Sequence, residues 1–192
     1  MSTVTEPGIT RDESMELLKV HLKNEKLISH CVASEAIMRA LAVRFGEDPD
    51  IWGLAGLLHD LDYEMVNEDP ARHGEEGAKI LEAKGVSPLI ADVIRKHNAE
   101  GLGLERSTVF EHALTCAETI TGMIVAVTLV YPDKKIASVK PKSVTKRMKT
   151  AHFARAVSRE RIRECEKIDI PLNEFVGISL EAMSGIAGEL GL

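Results

Sequence analysis

An apolar run at residues 51–58, IWGLAGLL, stops abruptly on His59 and Asp60. An imidazole and a carboxylate at the mouth of a buried-looking segment either satisfy each other or face a cation. Adjacent helical residues point about 100° apart, since a turn takes about 3.6 residues, but at a fraying end both can reach one ion beyond the terminus. Seven histidines occur, at 21, 30, 59, 73, 97, 112 and 152. His30, His59, His73 and His97 fall at or near the ends of expected helices, where side chains from separate helices can converge. Each also has a plainer reading as a histidine bonded to its own chain. His21, His112 and His152 read as structural or exposed.

Imidazole and carboxylate together suit a borderline divalent ion such as Fe, Mn, Co, Ni or Zn. The three cysteines, Cys31, Cys116 and Cys165, are widely spaced and form no C-x-x-C pair. This argues against a Cys-rich structural zinc site and against a disulfide framework. A His/carboxylate set keeps exchangeable positions for water, the arrangement in which a metal makes hydroxide at neutral pH. Asp62 and Glu64 follow the pair in an acidic loop, where they can orient histidines or simply face solvent.

The elements that must position these residues read as helices throughout, an all-α chain. Apolar spacing predicts helices over 11–23, 29–45 and 50–59, the last apolar on all sides and therefore central. A loop is expected over 62–72, then a helix from about 74 to 84. Ser87 and Pro88 open the next helix as cap and first-turn residue; it carries Ile90, Val93, Ile94 and His97 on one side, and NAEGLGLE follows as loop. Thr108 with Glu111 forms a capping box for a long helix over about 109–130. The β-branched run 124–130 has strand propensity but no partner strand, so the helix is retained. Further helices are expected at 144–157, 159–167 and 172–190. Gly101 and Gly103 lack the Lys and Ser/Thr of a P-loop.

The chain has 192 residues, 44% of them hydrophobic, with a formal net charge of −6 and a pI near 5.7. A broad nucleic-acid surface does not fit that charge. The N-terminus is too polar for a signal peptide. The apolar stretch GMIVAVTLVYP is about half the length that spans a bilayer, so a cytoplasmic protein with no membrane association is expected. Residues 134–167 hold 12 of the 24 Lys and Arg. Lys134, Lys135, Lys140, Lys142, Lys146 and Arg147 are either a solvated surface or a cationic rim for an anionic substrate. An acidic chain with one basic segment suits a small phosphorylated molecule better than a polymer. The apolar helix faces leave room for a homodimer.

His30, the pair His59-Asp60, His73 opening HGEEGAKIL and His97 in VIRKHN form an ordered set that resembles the HD superfamily of metal-dependent phosphohydrolases. ALTCAETITGMIVAVTLVYPDKK, SVTKRMKTAHFARAVSRERI and the tail PLNEFVGISLEAM resemble a subfamily of small HD-domain hydrolases, so the likeness runs from about residue 15 nearly to the end. It implies one HD-type helical domain over 1–192, with a core at about 26–130 and C-terminal helices over about 131–192 packed on it around a metal. His30, His59 and Asp60 match ligand positions. The fourth, usually aspartate, is matched by Glu118, a departure that weakens or empties the site if the longer side chain misplaces its carboxylate. In two-metal members, residues matching His73 and His97 hold a second ion and the one matching Asp60 bridges. The implied cofactor is one or two divalent ions, Mn, Fe, Co, Ni, Mg or Zn. The implied reaction is hydrolysis of a phosphate ester, a nucleotide among the candidates. In it Asp60 or Asp62 takes the proton, and Lys134, Lys135, Lys140, Lys142 and Arg147 steady the phosphate. The chain reads His59-Asp60-Leu61-Asp62-Tyr63, without the Ile-Gly and lysine of cyclic-dinucleotide members. The alternative is a non-catalytic helical ligand- or partner-binding domain whose metal is structural or lost.

Overall fold

Helix boundaries in this chain are set by its capping residues. The computed structural model describes residues 6–192, and no strand occurs among them. Thr10 and Glu13 exchange side-chain and backbone bonds in a capping box that opens α1, Arg11–His21. The Asn24 side chain caps α2, Glu25–Phe45, and Gly46 ends it at φ 71° in the left-handed region. Asp48 accepts from two backbone N–H groups at the start of α3, Pro49–Leu58, with Pro49 in the first turn. α4 covers Glu75–Ala83, and Ser87 caps α5, Pro88–His97. A short α6, Ala99–Leu102, occupies what the glycines suggested was loop. The predicted Thr108–Glu111 capping box opens α7, Val109–Leu129.

The C-terminal third follows the sequence less closely. A 3-10 turn at Ile136–Ser138 precedes α8, Pro141–Met148, which ends well before the predicted 157. The segment 151–156 forms turns. Then come α9, Arg159–Ile162, a 3-10 stretch at Arg163–Ile168, α10, Leu172–Gly185, and α11, Ala187–Leu190. The predicted last helix is therefore broken near Ile186.

α3 is the buried centre. Its residues Ile51 to Leu58 are all buried, and it packs against α1, α2, α5 and α7. α2 and α3 run so close that a Cβ on Gly56 would lie 2.7 Å from the Ser34 carbonyl oxygen. α7 is long and apolar enough to cross a membrane by length and composition. Here its apolar surface instead packs on α2, α5, α8, α9 and α10. One hydrophobic cluster runs from Leu17 to Met183 and joins the C-terminal helices to the rest, with Phe175 of α10 fully buried. Each such large side chain contributes ~1.5–3 kcal/mol by leaving water. Trp52 stacks on Phe110 at 4.7 Å between centroids, locking α3 to the start of α7.

Candidate metal centre

Five helices send a polar side chain toward one point. α2 supplies His30 from its second turn, with Ser34 one turn on bonding back to the His30 carbonyl at 2.9 Å. α3 ends on His59, whose backbone remains helical, and Asp60 follows in the turn. Buried Leu61 anchors that turn in the core. His73 immediately precedes Gly74, which caps α4 at φ 87°, and His97 is the last residue of α5. α7 lends Thr121 and Glu118, and α9 lends Arg161.

Asp60 sits at the middle. Its Oδ1 lies 3.4 Å from His59 Nε2, 3.3 Å from His73 Nε2 and 3.6 Å from His97 Nε2; its Oδ2 lies 3.6 Å from His30 Nε2. Two convergent sets result, His30/His59/Asp60 and Asp60/His73/His97, each with ligand atoms within 4.8 Å of one another. They share Asp60 and are positioned for one or two divalent ions.

Whether the residues suit a cation is decided by their outer nitrogens. His59 Nδ1 faces the Gly56 carbonyl at 2.8 Å and His97 Nδ1 faces the Ile94 carbonyl at 2.5 Å. A carbonyl only accepts, so both nitrogens carry the proton. His73 Nδ1 donates to the Asp62 carboxylate at 2.8 Å. His30 Nδ1 lies 2.7 Å from the Thr121 hydroxyl, which spends its own proton on the Glu118 carbonyl at 2.7 Å. The hydroxyl therefore accepts, and His30 Nδ1 donates as well. In the neutral rings every Nε2 is left with a lone pair pointing inward. Nε2 meets Nε2 at 3.1 Å between His30 and His59, and at 2.9 Å between His73 and His97. Facing lone pairs repel unless a proton or a cation lies among them. Four imidazoles with one carboxylate and no thiolate form a set that borderline divalent ions accept. The three cysteines are buried, free thiols outside both sets.

The electrostatics follow from this packing. Burial pushes the His59 imidazole down to about 4, outweighing the pull of Asp60. Burial also lowers His97. Burial alone would raise Asp60, but the surrounding histidines, His59 foremost, hold it well below the usual carboxylate range. Burial would lower His73 too, yet its bonds to Asp60 and Asp62 together raise it to about 9. Below that pH a proton occupies the lone pair that a cation would take, so proton and cation compete there.

The expected residues divide clearly. His30, His59, Asp60, His73 and His97 converge. Glu118 lines the same cavity but lies outside both sets: its Oε1 pairs with Arg161 Nη2 at 2.8 Å and accepts from the Thr119 hydroxyl at 2.6 Å. Asp62, expected as an acceptor of the reaction's proton, does not line the cavity. It is fully buried, with Oδ1 taken by His73 and Oδ2 by the backbone N–H groups of Gly74, at 2.8 Å, and Gly77, at 2.7 Å. Glu64 accepts from the backbone N–H groups of Lys23 and Asn24 instead of orienting a histidine. Lys134, Lys135, Lys140, Lys142 and Arg147 do not line this cavity either. Arg147 lies over the Phe153 ring at 4.9 Å and borders a separate cavity with Tyr131 and Lys146. The basic rim was placed by composition; its residues sit in the segment before α8 and on α8 itself, away from this cavity. The cavity of about 390 Å³ has Arg161 as the one Lys or Arg in its described lining. Arg161 belongs to the basic segment, but nothing in its spacing separates it from its neighbours. His112 is bonded to Glu164 at 2.8 Å, a structural role.

A family model described as HD domain matches residues 27–128, more than half of the chain. The chain is 26% identical over 99 residues to Ribonuclease Y of Opitutus terrae, a match covering 52% of this chain and 18% of that protein. It is also 26% identical over 98 residues to Ribonuclease Y 2 of Pediococcus pentosaceus, covering 51% and 18% respectively. It thus spans less than a fifth of the length of these curated relatives. No solved structure matches it.

Proposed function

This chain belongs to the HD-domain family, and from that premise we propose that its His/Asp centre is a metal-dependent phosphohydrolase site for a small phosphate ester, a nucleotide among the candidates. The observation that carries the reading is the inward convergence of four Nε2 lone pairs on Asp60. A divalent ion held there supplies Lewis-acid charge for a phosphoryl oxygen and lowers the pKa of water toward neutrality. His30, His59, Asp60, His73 and His97 would hold it. Carbonyl, hydroxyl and carboxylate acceptors behind each ring keep the rings from turning, which fixes the donors before any ion arrives. Of the two aspartates expected to handle a proton, Asp60 alone faces the cavity. His30 is the most open of the four rings, with 24% of its side chain exposed.

A cavity of about 390 Å³ suits a small ester. The names of the two relatives favour a second reading, cleavage of an RNA phosphodiester. The net charge of −6 weighs against it. The test is elemental analysis of the purified protein, with nucleotides, generic phosphate esters and an oligoribonucleotide assayed under added Mn, Co, Ni and Mg. Asp60→Ala removes the group shared by both ligand sets, so it loses metal and hydrolysis together. Equal activity in that variant rejects the assignment. Preferential cleavage of the oligoribonucleotide with steep salt dependence selects the second reading.

A further inference from the structure

Building on the phosphohydrolase reading, we propose that Arg161 is the residue that binds the substrate's phosphoryl oxygens and that Glu118 positions it instead of completing the metal shell. Arg161 lies outside the residues matched by the HD-domain model. It reaches the cavity from α9, a single helical turn that the surrounding chain holds firmly. Ser158 caps the turn by accepting from the Arg161 N–H at 3.2 Å, and Ile162 is fully buried. Arg159, two residues earlier, points away and ties down the preceding turns through the carbonyls of Ala154, Val157 and Phe153. A guanidinium on such a mount has little freedom to lose on meeting a ligand.

Its head group is only partly used. Nη2 makes both observed contacts, to the His97 carbonyl at 2.5 Å and to Glu118 Oε1 at 2.8 Å. Among the described residues neither Nη1 nor Nε has an acceptor; Nη1 is not buried, whereas Nε is buried and meets an incoming oxygen only when the head group turns. A buried N–H without an acceptor is uncommon and calls for a partner. A tetrahedral anion brings several acceptor oxygens, and guanidinium recognises phosphate through paired N–H groups. The setting also selects for it. The cavity carries the carboxylates of Asp60, Glu68 and Glu118, and Arg161 is the one Lys or Arg in its described lining. The contact with the His97 carbonyl places the guanidinium at the end of α5, beside the second ligand set. The Glu118 carboxylate thus acts as a stand-in anion that orients Arg161 and competes with the incoming phosphoryl group.

The test uses the metal-reconstituted full chain with inorganic phosphate as the probe, read by calorimetry, alongside metal content by elemental analysis. Arg161→Ala should keep the wild-type metal content and bind phosphate at least about tenfold more weakly, since a charge-assisted bond is lost. Arg161→Lys should recover only part of that loss, because an ammonium cannot reproduce the fork. Glu118→Gln should keep its metal and bind phosphate several-fold more tightly, because a neutral amide competes poorly for Arg161. Unchanged phosphate binding in Arg161→Ala overturns the proposal, and so does loss of metal in Glu118→Gln. If Arg161→Ala does not fold, Glu118→Gln decides: unchanged or weaker phosphate binding sinks the idea. Phosphate binding needs no turnover. A protein that hydrolyses no ester yet shows these shifts fails the functional reading alone, whereas an active enzyme without them fails this inference alone.

Discussion

Replacing Asp62 by Asn tests the idea that the outer nitrogens set the inner lone pairs. The two carboxylate oxygens have different duties. Oδ2 accepts from two fixed backbone N–H groups, Gly74 at 2.8 Å and Gly77 at 2.7 Å, while Oδ1 accepts from His73 Nδ1 at 2.8 Å. An asparagine must keep its carbonyl oxygen on the backbone side, where two donors demand an acceptor. Its amide N–H then faces the His73 N–H, donor against donor. His73 escapes by moving its proton to Nε2, which removes the lone pair aimed at the centre, or by rotating out of line. Loss of one charge-assisted bond costs ~1.5–3 kcal/mol of folding stability. Loss of the correct tautomer lowers metal affinity about 10–100-fold. Asp62→Ala leaves three buried donors without an acceptor and costs ~3–9 kcal/mol at about 1–3 each. Urea unfolding of metal-stripped protein gives the stability difference, and competition with a chelator of known affinity gives the metal affinity. If Asp62→Asn holds metal as tightly as the wild type, the tautomer argument is wrong and His73 is not a ligand through Nε2.

Three further outcomes follow from the same structure. Gly56→Ala would set a Cβ 2.7 Å from the Ser34 backbone oxygen; overpacking of this kind costs ~1–3 kcal/mol, and since the Gly56 carbonyl holds His59 Nδ1, metal affinity should fall with the melting temperature. Arg106→Ala takes from Glu164 two bonds of 3.0 Å, with 5% and 8% of the two side chains exposed, and leaves it His112 at 2.8 Å and Lys167 at 3.5 Å; breaking a buried pair costs ~3–5 kcal/mol, and the remaining partners hold the loss to the lower end. Burial would raise Glu164, but Arg106 and His112 hold it below its usual 4.5; the pair's contribution is therefore present above pH 4.5 and disappears as pH falls through the lower folded value, so urea unfolding across acid pH should show a flatter curve in the variant. His73, raised to about 9, stabilises metal-free protein below its unfolded value of 6.5, and that contribution is lost as pH rises through 9. Metal must displace its proton, so calorimetry at pH 7.5 in two buffers should show roughly one proton released, with affinity rising about tenfold per pH unit up to 9; a pH-independent affinity contradicts this.

The helices were largely legible in the sequence because their signals are local. Thr108/Glu111 is a capping box that acts across three residues, and Ser87 with Pro88 marks a first turn whichever neighbours surround it. The histidine and aspartate set was legible through its residue types and its family likeness. The C-terminal third was harder to read. Between Lys149 and Ser158 the pattern looks helical, but the chain makes turns that depend on Arg159 collecting carbonyls from as far as Thr150. No local signal announces that a distant guanidinium will satisfy those groups.

The sequence by itself determined which residues could ligate a cation, because imidazole and carboxylate chemistry belongs to the side chain wherever it stands. Only the tertiary structure decided which charges meet. It turned Asp62 behind His73, gave Glu118 to Arg161 and left the lysines after 133 outside the cavity. Coulomb energies and hydrogen bonds fall off within a few ångströms. Separation along the chain says little about such distances once five helices have packed.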